Sequence, residues 1–224
     1  MSHLALYFSP GACSRVAMIA LELLGLPFES RLVRFARGEH RSPAFLAVNP
    51  KGKVPALVVD GRALTENVAI LMWLARTHPD GGLLPLGRSE WDDAQVLSDL
   101  AWCASNIHAL VTRVRMPVLV SDQPESHARV RAVASAQLAL NLQVLEDRLA
   151  DAPWLLGAFS GLDAYAYWCL WRSIDGGFDA TAFPRLRDHL ARCEAREDVC
   201  RALAREAEGA RQLAADLPRG GLSP

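Results

Sequence analysis

Cys13 is the residue of this sequence that is best placed to do chemistry. It follows a Pro10-Gly11 turn and stands where apolar residues begin to recur at helical spacing, from Ser14 onward. The N-terminus of a helix lowers the pKa of a thiol, and the thiolate is the form that reacts. We therefore predict a reactive thiol with a depressed pKa. The alternative is a small, buried and inert side chain, a common fate of free cysteine.

The remaining cysteines predict no metal centre and no disulfide framework. The total of five is odd and the CxxC pattern is absent, so neither a zinc ribbon nor a dithiol redox motif is expected. The other four lie inside helical patterns, where we expect them to be buried: Cys103, Cys169, Cys193 and Cys200. Unpaired cysteines are typical of a reducing compartment, so we predict a cytoplasmic protein without a bound metal.

Two other polar segments could bind a ligand or move a proton. Thr65-Glu66-Asn67 stands where a strand meets the start of a helix, and free N–H groups there favour a carboxylate. The alternative is an ordinary helix start with Thr65 as the cap. His108 belongs to a mildly polar helical stripe, which could face a cleft and use the imidazole as a proton shuttle. The stripe consists of Ala101, Ser105, His108, Thr112 and Arg115. A lone histidine is more often a partly buried structural residue.

The first eighty residues predict the α/β unit that would position these groups. Apolar runs indicate strands at about 4–8, 28–33, 54–59 and 62–64. Helical patterns start at Ser14, at Ser42-Pro43 and after Thr65, and Asp60-Gly61 predicts a hairpin turn. The order β-α-β-α-β-β-α implies a small mixed sheet with helices on its faces.

The rest of the chain predicts helices alone. Helical patterns cover about 90–115, 125–150, 162–174, 184–195 and 198–215, and we expect the tail at 218–221 to be frayed. Ser160 and Asp163 form an S-x-x-D box that starts a helix. We therefore predict an α/β domain at 1–79, a linker at 80–89 and an all-α domain at 90–224.

Composition argues against several classes of partner. The formal net charge is −1, so no basic excess is present to attract nucleic acid or an anionic membrane. No apolar run reaches the roughly 18–20 residues that span a bilayer. The first residues also lack the cationic region and cleavage site of a secretory signal. We expect neither nucleic acid nor membrane as a partner.

Three segments in the first eighty residues resemble the cytosolic glutathione transferases, especially the bacterial beta class. They are Tyr7-Phe8-Ser9-Pro10-Gly11-Ala12-Cys13-Ser14, Asn49-Pro50-Lys51-Gly52-Lys53-Val54-Pro55-Ala56-Leu57 and Leu64-Thr65-Glu66-Asn67-Val68-Ala69-Ile70. A fourth, Phe159-Ser160-Gly161-Leu162-Asp163-Ala164-Tyr165, resembles the capping motif of that family. The resemblance implies a thioredoxin-like N-terminal domain followed by an all-α domain, with glutathione as co-substrate.

The resemblance also implies a site for each part of glutathione. Val54-Pro55 matches the cis-proline dipeptide whose backbone pairs with the bound peptide. Glu66 would answer the α-ammonium of the γ-glutamyl group, while the region of Thr65 and Asn67 would hold its α-carboxylate. Relatives often have Ser or Gly in place of Asn67, so this second contact is open. Arg37 aligns with a basic residue for the glycyl carboxylate, and its nearby competitors are Arg34, Arg41 and Lys53.

The group that handles the sulfur has more than one candidate. Cys13 matches the beta-class cysteine that meets the glutathione sulfur and can form a mixed disulfide with it. Ser14 is the rival and the expected partner of Cys13, while Tyr7 and Ser9 are weaker alternatives. His108 matches a histidine near the sulfur.

At two positions in the long helix this sequence departs from the family pattern. Ala109 stands where relatives often have Lys, and Ala101 where they often have Asn. Both departures remove polar contacts, so glutathione could bind more weakly or the substrate could differ.

Three functions follow from the resemblance. The first is a detoxifying glutathione transferase that conjugates glutathione to small apolar electrophiles. The second is a glutathione-dependent disulfide oxidoreductase that uses Cys13, and the third is a non-catalytic binding module of the same fold. The second substrate would contact the helical domain around Met116, Trp168 and Trp171. A symmetric homodimer is expected.

Overall fold

The computed structural model describes residues 3–216 and contains a four-stranded mixed sheet. The strands are β1 (Leu4–Phe8), β2 (Glu29–Leu32), β3 (Ala56–Val59) and β4 (Arg62–Thr65). Their order in the sheet is β2-β1-β3-β4, with β1 parallel to β2 and the other neighbours antiparallel. The predicted mixed sheet is confirmed.

Three helices complete this α/β unit: α1 (Ser14–Leu23), α2 (Pro43–Val48) and α3 (Asn67–Thr77). As predicted, Ser42 caps α2, and its Oγ accepts from Phe45 N at 3.2 Å. The predicted capping role of Thr65 is wrong. Thr65 is the last residue of β4, where it pairs with Ala56, and Glu66 is the N-cap of α3.

The second half is helical, as predicted. Its helices are α4 (Glu90–Trp102), α5 (His108–Arg115), α6 (His127–Arg148), α7 (Gly161–Asp175), α8 (Pro184–Glu194) and α9 (Glu197–Ala215). The capping box is present, because the Ser160 side chain accepts from the Asp163 backbone N–H and the Asp163 carboxylate accepts from Ser160 N. None of the described helices is both long and apolar enough to cross a bilayer. The tail expected to be frayed, 218–221, lies outside the described residues.

A π-helical turn divides the long helix that was predicted over 90–115. Residues Cys103–Ile107 form this turn between α4 and α5. A π turn adds a residue to the helical repeat and rotates everything beyond it, and such turns are frequent at functional sites. Ala101 and Ser105 consequently face solvent, whereas His108 and Thr112 turn toward a cavity.

Helix α1 joins the two halves of the molecule. It packs against α7 and α9, and it is buried along nearly its whole length. The buried pair Arg15–Glu206, at 2.6 Å, ties α1 to α9. Gly209 on α9 lies so close to the end of β1 that an added Cβ would stand 2.8 Å from the Phe8 ring. These contacts fix the loop between β1 and α1, which carries Cys13.

Candidate active site

A cavity of about 550 Å³ opens between the loops of the sheet and helices α5 and α7. Its walls come from the β1–α1 loop, the segment before β3, the start of α3 and one face each of α5 and α7. The lining residues are Pro10, Ala12, Cys13, Phe35, Asn49, Lys53, Val54, Pro55, Glu66, Asn67, Val68, Ala104, His108, Ala109, Val111, Thr112, Arg115, Met116, Leu119, Tyr165, Trp168 and Arg172. Most of the residues predicted for the site therefore meet here.

Cys13 is the N-cap residue of α1 and lies half-buried in the cavity wall. Its Sγ donates to the carbonyl oxygen of Val54 at 3.4 Å. Burial raises the pKa of the Cys13 thiol to about 12, although Lys53 and Arg172 act in the opposite direction. The predicted depressed pKa is wrong, because desolvation of the thiolate outweighs a backbone hydrogen bond and the charges of these two cations.

Ser14, the predicted partner of Cys13, is not brought to the cavity. It is fully buried, and its Oγ lies 3.3 Å from both the backbone N and the backbone O of Ser9. Tyr7 is also outside the lining, where its hydroxyl accepts from Arg31 at 2.9 Å. Ser9 is buried and does not line the cavity either.

Four candidates for glutathione contacts converge on one wall. The Val54-Pro55 peptide bond is cis, as expected, and both residues line the cavity immediately before β3. Glu66 adopts a left-handed φ of 74° and pairs with the ammonium group of Lys51. The Asn67 side chain donates to the Cys13 carbonyl at 2.9 Å, and its Oδ1 has no hydrogen-bond partner within residues 3–216.

Of the four cations predicted near the glycyl carboxylate, only Lys53 lines the cavity. The Arg37 side chain donates to the backbone oxygen of Asp216 at 2.7 Å. Arg34 forms an ion pair with the carboxylate of the same residue at 2.5 Å. Both arginines are thus engaged at the C-terminal end of α9, and Arg41 is exposed away from the lining.

His108 faces the cavity as a neutral imidazole. Its Nδ1 lies 2.9 Å from the Tyr165 hydroxyl, and its ring packs edge-on against Trp168 at 4.5 Å. Burial, followed by the charge of Lys53, lowers the pKa of His108 to about 4. Because Tyr165 occupies Nδ1, Nε2 is the ring nitrogen left for a ligand.

Comparisons with known proteins agree with this geometry. The family model described as "Glutathione S-transferase, N-terminal domain" matches residues 10–77. The chain is 33% identical over 205 residues to glutathione S-transferase GST-4.5 of Xanthomonas campestris pv. campestris, across 91% of this chain and 98% of that protein. The chain belongs to the glutathione transferase superfamily.

Two solved structures of transferases are similar to the chain over nearly its whole length. A glutathione transferase homologue from Sulfitobacter with bound glutathione is 31% identical, with a TM-score of 0.81 over 93% of this chain and 99% of that one. The bacterial beta-class enzyme of Sphingomonas chungbukensis is 33% identical, with a TM-score of 0.79 over 90% and 98% of the two chains. The expected thioredoxin-like plus all-α transferase fold is confirmed.

The part of the cavity lining that comes from the helical half is only partly as predicted. Met116 and Trp168 line the cavity, but Trp171 does not. Instead the Arg15 guanidinium stacks on the Trp171 ring at 3.6 Å from its centroid. Ala109 lines the cavity with a methyl group, whereas Ala101 is exposed on the other side of the π turn.

Several residues line the cavity although the sequence predicts no role for them in the site. Phe35 lies in a segment whose many charges predict a solvent-exposed loop, and Leu119 follows the end of α5. Tyr165 belongs to the segment that resembles the capping motif, and that motif predicts no role in the site. Arg172 stands near the end of a buried helix, and no local pattern distinguishes it from a solvent-facing arginine. Within residues 3–216, no three His, Cys, Asp or Glu side chains cluster as a metal site.

The low pKa of His108 predicts an acid-sensitive fold. The unfolded chain takes up a proton at His108 near its ordinary pKa, about 6.5, while the native state resists protonation until near pH 4. This histidine therefore costs no stability above pH 7 and destabilises the fold progressively as the pH falls from about 6.5 toward 4. His108→Gln should remove that cost.

Urea unfolding of wild type and His108→Gln at pH 7 and pH 5 measures this effect. Between pH 7 and pH 5, wild type should lose about 2 kcal/mol more unfolding free energy than the variant, as follows from pKa values of 6.5 in the unfolded chain and about 4 in the native state. Equal losses in the two proteins would show that His108 protonates as easily in the native state as in the unfolded chain.

Proposed function

We propose that this protein is a glutathione transferase that conjugates glutathione to small apolar electrophiles. The observation that carries the proposal is the convergence of three features on one cavity. These are the Val54 backbone before β3, the Glu66-Asn67 start of α3, and the pair Cys13 and His108. They provide complementary groups for the peptide backbone, the γ-glutamyl end and the sulfur.

Each end of glutathione has a group of matching charge in this proposal. The carboxylate of Glu66 would take the α-ammonium, and the backbone N–H groups that begin α3 would take the α-carboxylate, because a helix N-terminus favours an anion. The ammonium of Lys53 would take the glycyl carboxylate. The backbone of Val54, which lies just before the paired residues of β3, would bind the cysteinyl residue as an added strand.

Cys13 and His108 would act on the sulfur as hydrogen-bond donors. The Cys13 Sγ–H donates to Val54 in the described structure and can rotate to donate to the thiolate of bound glutathione instead. A neutral His108 can donate from Nε2 when Tyr165 donates to its Nδ1. Hydrogen bonds to the thiolate lower the pKa of glutathione and so increase its reactive form. The remaining acceleration comes from holding the electrophile against the sulfur.

The raised pKa of Cys13 favours conjugation over disulfide exchange. Because burial raises the pKa of Cys13 to about 12, the thiolate that disulfide exchange requires is scarce at neutral pH. The alternative of a glutathione-dependent disulfide oxidoreductase is supported by one observation, the presence of the half-buried Cys13 in the cavity lining. Detoxification in the cytoplasm, where glutathione is plentiful, is the setting that we propose.

The direct test of the function is conjugation of glutathione to 1-chloro-2,4-dinitrobenzene, compared with reduction of a mixed disulfide of glutathione. We expect saturable conjugation and slow disulfide reduction. Disulfide reduction as the dominant activity would support the alternative function. Glutathione binding without either activity would indicate a non-catalytic module.

We further propose that the chain forms a symmetric homodimer through the outer faces of α4 and α6. Leu140 and Val144, one turn apart on α6, are 72% and 48% exposed, and Leu97 on α4 is also exposed. A second cavity separates these helices and is lined by both Leu140 and Val144 together with Trp102. Closed two-fold pairing would bury this apolar face.

Light scattering at micromolar concentration should give twice the 24.5 kDa mass of the chain. Leu140→Glu/Val144→Glu should give the monomer, because two carboxylates would be buried without partners at the interface. Ile174→Glu, a change of the same kind at an exposed apolar residue on α7, should remain dimeric. A monomeric wild type would contradict the proposal.

We also retain the division into an α/β domain at 1–79, a linker at 80–89 and a helical domain at 90–224 as a proposal. It is supported by the end of α3 at Thr77 and the start of α4 at Glu90. Glutathione would then contact mainly the first domain, and the second substrate mainly the helical one.

A further inference from the structure

Two arginines at the helical end of the cavity share one carboxylate. Arg115, at the end of α5, and Arg172, on α7, both line the cavity. Arg115 Nε donates to Asp175 Oδ2 at 2.7 Å, and Arg172 Nη1 donates to the same oxygen at 2.8 Å. A carboxylate neutralises one guanidinium, so these three residues keep a net positive charge beside the cavity.

The acidic groups nearby do not cancel this charge. Glu206 is buried and forms its own ion pair with Arg15 at 2.6 Å. Glu66, the acidic residue within the described lining, lies at the start of α3 and pairs with Lys51. An anionic ligand would therefore meet uncompensated positive charge at the helical end of the cavity.

Arg172 also lies close to the place of the reacting sulfur. Its Nη1 is 3.0 Å from the position that a Cβ would take on Gly11, two residues before Cys13. Trp168, one turn earlier on α7, lines the cavity next to it, and its indole Nε1 donates to the Gly11 carbonyl at 3.3 Å. A group bound at this guanidinium is thus within a few ångströms of the Cys13 loop.

The lining of the same cavity includes exposed apolar side chains. Met116, Leu119 and Phe35 line the cavity, and each has a large exposed apolar side chain. A ligand that fits both features has an apolar body against these side chains and one anionic group at Arg115 and Arg172. A guanidinium binds carboxylate with favourable geometry, because its planar fork offers paired N–H donors.

We infer that the second substrate carries a carboxylate, which Arg172 and Arg115 bind while its electrophilic carbon faces the sulfur. This inference rests on the proposed transferase function and names its substrate class: apolar α,β-unsaturated carbonyl compounds or related electrophiles with an anionic group. In the addition, the glutathione thiolate forms a C–S bond to the β-carbon. The C=C pair moves to the carbonyl as an enolate, and the proton released by the thiol finally returns to the α-carbon.

A matched pair of enones tests the inference with the intact protein. The acid is 4-(4-carboxyphenyl)-3-buten-2-one, and the neutral control is its methyl ester, which has a similar ring and similar reactivity. Each enzymatic kcat/KM is divided by the uncatalysed rate with glutathione. Wild type should prefer the acid by about tenfold or more, as charge-assisted hydrogen bonds would give.

Three variants assign the preference to the arginine pair. Arg172→Met should lower the acid-to-ester ratio to roughly one, because it removes the guanidinium that lies beside the loop of Cys13. Asp175→Asn should raise the ratio, because it removes the carboxylate that competes with the substrate. Arg113→Met, at an exposed arginine of α5 outside the lining, should leave the ratio unchanged. Melting temperatures establish that each variant is folded.

The outcomes separate this inference from the proposed function. The inference would be overturned if both enones are conjugated at equal corrected rates. It would also be overturned if folded Arg172→Met keeps the preference for the acid. In both cases the proposed transferase function stands. The saturated ketone analogues of acid and ester cannot react, and their binding is measured by calorimetry. If neither enone is conjugated, tighter binding of the saturated acid than of the saturated ester, lost in Arg172→Met, still supports the carboxylate site. Equal binding of the saturated acid and ester overturns it.

Discussion

Glu66→Gly should weaken glutathione binding by about tenfold or more without lowering the melting temperature. The affinity falls because the carboxylate that would bind the α-ammonium is lost, and a charge-assisted hydrogen bond contributes about 1.5–3 kcal/mol. The stability is maintained because Glu66 holds a φ of 74°, which glycine adopts without strain. Its ion pair with Lys51 is exposed and contributes little.

Asp60→Gly is the matched control for this variant. Asp60 is the other described non-glycine residue with a positive φ, at 48°, and it follows the end of β3 that lies away from the cavity. Its replacement should leave glutathione affinity unchanged. Calorimetric titration of both variants and wild type gives the comparison. Equal affinities in Glu66→Gly and wild type would place the γ-glutamyl group elsewhere.

Replacing Cys13 should separate hydrogen bonding from sulfur chemistry. Cys13→Ala removes the donor and should lower conjugation at pH 6.5 by about tenfold, because less glutathione is then ionised. Cys13→Ser keeps a donor at the same position and should retain most of the activity. Both variants should be unable to form a mixed disulfide at this site, since serine and alanine have no thiol.

The measurement pairs a conjugation assay with mass spectrometry after incubation with oxidised glutathione. Cys200→Ser is the control: Cys200 is exposed, contrary to the expected burial, and should be alkylated before Cys13 at pH 6.5. Its replacement should leave conjugation unchanged. Should Cys13→Ser lose as much conjugation as Cys13→Ala, the Cys13 sulfur itself is required and a covalent role replaces the donor role.

Much of the fold could be predicted because its signals are local. β1 at Leu4–Phe8 follows from an uninterrupted apolar run, and α2 starts at the predicted Ser42-Pro43 signal. The signal for the capping box, Ser160 and Asp163, likewise lies within four consecutive residues. The π turn at Cys103–Ile107 has no such local signature, and it is the reason that Ser105 was wrongly assigned to the same face as His108.

The site was predictable where a residue's role depends on its own segment. Cys13, Val54, Glu66 and Lys53 line the cavity because each belongs to a loop next to a strand or helix end. Ser14 was misassigned because one step along a helix turns the side chain by about 100°, here from the cavity into the core.

Long-range pairing was the other obstacle to prediction from the sequence. Arg37 forms its hydrogen bond with Asp216, 179 positions later in the chain, which no local pattern indicates. The predicted pKa of Cys13 was wrong for a related reason. Its helix position favours the thiolate, but its burial depends on residues from distant segments that pack around it.

Titration of the wild-type protein with reduced glutathione in a calorimeter tests the central claim most directly. Binding at one site per chain is expected, together with a rise in melting temperature at about 10 mM glutathione, because the ligand binds only the folded state. The affinity should fall in Glu66→Gly and not in Asp60→Gly. No heat of binding and no change in melting temperature at that concentration would contradict the assignment of this cavity as a glutathione site.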